Sequence, residues 1–198
     1  FNKTSQIRHS WLLIALFSGL ALGSVAFFPM SGMSFTLPKL FVFAVTAIIG
    51  TCWNAFSPAI QAMCIFTRTV TGRFLLGFFV IVLLSLAWSV SPILSILGTP
   101  PRIEGVLTHA IWFAFVLIGI GIVQSKQGEK GLLQTIIVSN FLLVLYGFFQ
   151  FLSLDPFRGI WAEGTFLGRT FSLAGQPNVL GAFIVLTFPI ILFSALSK

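Results

Sequence analysis

The stretch best suited to chemistry is Gly168-Arg-Thr-Phe-Ser-Leu-Ala-Gly-Gln-Pro-Asn-Val-Leu-Gly181. A fixed cation, Arg169, and an amide, Asn178, flank a Gly-x-Pro turn just ahead of a new apolar run. Gly175 permits a backbone turn that other residues resist, and Pro177 suits the first turn of a helix, where its missing N–H costs nothing. Asn178 can donate and accept hydrogen bonds at that helix mouth. The first N–H groups of a helix are unpaired and carry partial positive charge, so a phosphate could rest there with Arg169 beside it. The same cues fit a loop that only starts a membrane helix, with Arg169 facing lipid headgroups. Chemistry alone leaves both readings open.

Two further constellations carry charge. In Gly98-Thr-Pro-Pro-Arg-Ile-Glu-Gly105, a helix beginning near Arg102 would bring Arg102, Glu104 and His109 to one helix mouth. They form either an anion site or an Arg–Glu pair capping a helix, with His109 bonded to a neighbouring helix. The segment 154–171 mixes Arg158 and Arg169 with Asp155, Glu163, Phe157, Trp161, Phe166 and Phe171. Its aromatics could stack on sugar rings, though an aromatic belt at the membrane surface explains most of them. Asp155 and Glu163 are either a general-base pair or partners of Arg158. Cys52 and Cys64 have no CxxC spacing and read as packing residues. No metal-binding cluster, phosphate-loop motif or nucleophile-elbow motif is present in the sequence.

The elements that must position these residues are hydrophobic. Of 198 residues, 57% are hydrophobic and 8% charged, against about 25% charged in soluble domains. This composition predicts an all-α polytopic membrane protein and excludes the soluble classes. The net charge of +7 comes from basic residues scattered between apolar runs, which predicts lipid headgroups and no nucleic acid as their partners. Six spans are expected, at about 11–28, 40–56, 74–90, 105–123, 132–152 and 178–196, in one membrane domain covering 1–198. Pro29–Pro38 and Ser91–Arg102 read as loops, and Lys126, Glu129 and Lys130 as a short polar connection. Pro189 should kink the last span, and Gly19 with Gly23 permits close helix approach.

Basic residues set the orientation. Lys3, Arg8, Arg68, Arg73, Lys126, Lys130 and Lys198 fall on one side, and Lys39, Arg102, Arg158 and Arg169 on the other. The positive-inside rule then places the N-terminus in the cytoplasm. Glu104, Asp155 and Glu163 share the outer side with three arginines, so the working face is expected outside. No charged residue falls deep inside a span, which counts against an ion-coupled transporter. A start at Phe1 and an apolar run reaching Lys198 predict the N-terminal portion of a longer membrane protein.

Three segments together resemble the bacterial O-antigen ligase and polymerase family. They are Leu84-Ser-Leu-Ala-Trp-Ser-Val-Ser-Pro92, Leu97-Gly-Thr-Pro-Pro-Arg-Ile-Glu-Gly-Val-Leu-Thr108 and the Gly168–Gly181 stretch. The resemblance covers about 84–198; the earlier spans match only in hydrophobic character. It implies a larger helical bundle of the glycosyltransferase-C kind in the bacterial inner membrane. It also implies transfer of a glycan from undecaprenyl pyrophosphate to lipid A-core or a growing polysaccharide at the periplasmic face, with membrane lipids around it and no cofactor or metal. Arg169, with Asn178 and Arg102, would hold the diphosphate; Arg158, Glu104 and His109 would support it. The family's catalytic His belongs to a later outward loop. His109 does not match it, so the catalytic residue stays unassigned here and this portion is not expected to act alone. A small-anion transporter of the bicarbonate kind and a non-catalytic membrane subunit are the alternatives.

Overall fold

The computed structural model describes residues 3–28, 35–55, 64, 66–99, 103–123, 125–157 and 169–196. The chain is an all-α membrane protein. Its helices are α1 (Lys3–Val25), α2 (Thr36–Ala55), α3 (Val70–Leu84), α4 (Pro92–Leu97), α5 (Val106–Val123), α6 (Lys126–Phe151) and α7 (Pro177–Leu196). Short 3-10 turns cover Ser85–Trp88 and Ser172–Ala174. Four segments are long and apolar enough to cross a membrane: Val70–Trp88, Val106–Val123, Lys126–Phe151 and Pro177–Leu196. Leu13–Val25 and Thr36–Cys52 are shorter apolar helices.

Local chemistry moves several boundaries away from the apolar runs. The third span was expected from 74, yet α3 starts at Val70, because the Thr69 hydroxyl accepts the Gly72 N–H at 3.0 Å. The expected connection around Lys126–Lys130 is instead the first turns of α6. There the Ser125 hydroxyl accepts the Gly128 N–H at 3.0 Å, a side-chain cap that lets a polar turn be helical. Within the expected loop 91–102, Pro92 opens the short helix α4 as its first residue. At the other end, α1 stops at Val25 rather than 28. The last span matches its expected bounds to one residue, and Pro189 lies inside it.

The packing divides the chain into two units, Phe1–Leu16 with Phe43–Glu129 and Phe17–Val42 with Lys130–Lys198. In the first, Leu16, Ala47, Ile111, Ile118 and Ile122 are buried. Gly50 lets α1, α2 and α5 meet, since a Cβ there would strike Leu16 and Ile118. Phe79 and Phe113 stack at 4.6 Å between α3 and α5. In the second unit, Leu143, Phe171 and Leu180 are buried beside Ser139, Asn140, Ser172 and Thr187. Large apolar side chains such as Phe41, Phe74 and Phe193 stay exposed in both units, as lipid-facing residues do.

Candidate functional site

The segment 169–178 lies in the second unit and is built from the end of α6 outward. Around Ser153 (φ +61°), α6 closes with the Leu154 N–H bonded to Phe149 O at 2.9 Å and the Ser153 N–H to Gln150 O at 3.0 Å. This is a Schellman-type ending, and it turns the chain back over the last helical turn. Asp155 therefore returns to α6. Its Oδ1 accepts the Tyr146 hydroxyl at 2.7 Å and the Phe157 N–H at 2.9 Å, and its Oδ2 accepts Gln150 Nε2 at 3.1 Å. The carboxylate thus organises the turn after α6, which disfavours its reading as a general base.

Gln150 passes the connection on. Its Oε1 accepts the N–H groups of Phe171 at 3.2 Å and Ser172 at 2.7 Å. Ser172 is 0% exposed, with φ +51°, and its hydroxyl donates to Leu143 O at 2.5 Å. Burial of that hydroxyl is tolerable because it is bonded. Lys39, half-buried in the first turns of α2, donates from Nζ to Leu173 O at 2.6 Å. Phe171 meets Phe35 edge-on at 6.1 Å, and Phe35 meets Phe27 at the same separation. Gly175 then turns the chain through a left-handed conformation (φ +88°), and Pro177 is the first residue of α7. Both assignments made for this stretch from its sequence hold in the fold.

Arg169 and Asn178 stand at the two ends of this pinned segment, both exposed. Neither has a partner among the described residues. The α7 ladder starts with the Leu180 N–H on Gln176 O, so the Asn178 and Val179 N–H groups precede it at the helix mouth. An anion meeting this end would find backbone donors. Residues 158–168, with Arg158 and Glu163, lie outside the described residues.

No family model, curated protein or solved structure matches this chain.

The second constellation belongs to the first unit, and Arg102 lies outside the described residues. Gly98 (φ +87°) caps α4, and a Cβ on Gly105 would strike the Ile96 carbonyl, so the segment folds tightly on α4. Ile103 holds a positive φ of 52°, and its carbonyl accepts the Thr108 hydroxyl at 2.6 Å. Glu104 is exposed. His109 shares a 2.9 Å hydrogen bond with Gly105 O of its own helix and lies 6.2 Å from the Phe78 ring. A bond within the helix replaces the neighbouring-helix partner expected for it.

The residues that hold 169–178 in place (Lys39, Tyr146, Gln150 and Asp155) were, apart from Asp155, not among the candidates read from sequence. Among the described residues no group of three or more His, Cys, Asp or Glu could hold a metal ion. Cys52 and Cys64 are exposed free thiols.

Proposed function

We propose that this protein is a bacterial inner-membrane glycosyltransferase of the O-antigen ligase and polymerase kind. It acts at the periplasmic face, with its N-terminus in the cytoplasm, and moves a glycan from an undecaprenyl-pyrophosphate carrier to lipid A-core or a growing polysaccharide. The motif resemblance supplies the class. The observation that carries the site is the exposed Arg169, without a partner among the described residues, leading into a backbone segment held at Phe171, Ser172 and Leu173.

In this reading Arg169 grips the diphosphate, while Asn178 and the first N–H groups of α7 receive its other oxygens; Arg102 is the second cation. As the acceptor hydroxyl gives up its proton to a base not assigned among these residues and its oxygen bonds to the anomeric carbon, the bond to the diphosphate oxygen breaks and negative charge grows on the leaving group. A guanidinium offers two parallel donors to that charge. A donor aimed at charge that develops in the reaction is worth more in the transition state than in the ground state.

The test is Arg169→Ala and Arg169→Lys in the full-length protein, reading surface glycan and the lipid-linked donor. Arg169→Ala should lower transfer by on the order of a hundredfold, the usual cost of removing one charge-stabilising donor, and let the donor accumulate. Arg169→Lys should recover only part of the loss, because an ammonium cannot make the two-pronged contact. Wild-type glycan in Arg169→Ala would end this site assignment. Anion flux in proteoliposomes together with an intact glycan would favour the transporter reading in its place.

A further inference from the structure

We propose that Gln150 is a positioning residue for Arg169, an inference that rests on the diphosphate reading above. Its amide is held in one sense only. A carboxylate only accepts and a backbone N–H only donates, so Nε2 must face Asp155 and Oε1 must face Phe171 and Ser172. Asp155 is in turn fixed by Tyr146 and the Phe157 N–H, which prevents the amide from rotating. One oxygen catching two successive N–H groups sets the direction of the backbone two residues after Arg169. The Ser172 hydroxyl on Leu143 O and the Lys39 ammonium on Leu173 O hold the next turn. A guanidinium that must meet two phosphate oxygens at once gains from a fixed Cα, since a loose one loses alignment with the leaving group.

Two substitutions in the full-length protein, assayed in native membranes, separate positioning from bulk. Gln150→Leu removes the acceptor and the donor without adding charge. With the three hydrogen bonds of Gln150 gone, the segment is less well aligned and transfer should fall about tenfold, with the protein's level in the membrane unchanged. Gln150→Glu keeps the shape and the acceptor but makes the donor titratable. At low pH the new carboxyl donates to Asp155; as pH rises, two carboxylates face each other and repel. Its activity relative to wild type should therefore rise as pH falls. The other titratable groups at this cluster among the described residues are Tyr146 on α6 and Lys39 on α2. Both proteins share them, so the ratio of the two pH profiles isolates the new carboxyl.

A second measurement does not depend on glycan transfer. With Cys52 and Cys64 replaced by Ser, Arg169→Cys is labelled with a membrane-impermeant maleimide, with and without Gln150→Leu. Labelling should be faster with Gln150→Leu, because the segment is released. Equal labelling rates together with a flat pH ratio would overturn the role of Gln150. If Arg169→Ala transfers glycan as wild type does, the diphosphate reading falls, and the labelling comparison alone decides whether Gln150 holds the segment.

Discussion

Gly175 combines a left-handed backbone with a neighbour that excludes any side chain. A Cβ there would come within 2.6 Å of the Phe35 ring, so Gly175→Ala meets both backbone strain and a clash. The strain alone amounts to about 1–2 kcal/mol, and purified Gly175→Ala should melt several degrees below wild type. Ser172 makes a different demand, since its buried hydroxyl is the partner of a helix carbonyl. Ser172→Ala removes that bond while Leu143 O keeps its place in the α6 ladder, and should cost about 0.5–1.5 kcal/mol, measured by the same melt. Gly175 and Pro177 could be read from the sequence because each restricts its own backbone. Gln150 could not. It is a lone amide inside an apolar run, and the two N–H groups it holds lie 21 and 22 residues further on. Nothing local to it announces the role.

Helices α6 and α7 carry a polar bond in their apolar contact. The Thr187 hydroxyl donates to Asn140 Oδ1 at 2.8 Å, and Asn140 Nδ2 donates to Ile136 O of its own helix at 3.0 Å. Both residues are buried. Such interhelical bonds in membranes are modest, because the separated helices find other partners. A double-mutant cycle of Asn140→Ala and Thr187→Ala should give a coupling of about 0.6 kcal/mol and at most ~1.7. Hydrophobic runs located the helices but not their ends. Ser125 and Thr69 cap helices that start inside polar stretches, and Ser91-Pro92 opens a helix where a loop was expected. The Ser-Pro and Ser/Thr cues were present in the sequence; they were outweighed by an apolarity count that is blind to capping.

At the scale of the whole chain, composition alone settled the class. Four segments span a membrane's thickness, and large apolar side chains face outward along them. The basic residues give a further expectation, open to direct measurement. A periplasm-active phosphatase reporter fused after Gly98 should be active, and one fused after Lys126 should be silent; the reverse pattern would invert the orientation and move Arg169 to the cytoplasmic face. The candidate site was legible in the sequence only in part. Arg169 and Asn178 announced themselves by type, whereas the scaffold under them is joined by contacts between distant parts of the chain.

The Lys39 bond to Leu173 O also has a history in time, because it closes a gap of 134 residues. At a synthesis rate of about 5–20 residues per second, α2 reaches the bilayer on the order of ten seconds before its acceptor carbonyl exists. Through that interval the ammonium has to be hydrated at the headgroup level, since an ammonium left alone in hydrocarbon is expensive. The start of α2 therefore gains this anchor only once the turn at Ser172–Ala174 has been made. A ribosome stalled before Leu173 would leave Lys39 without this acceptor.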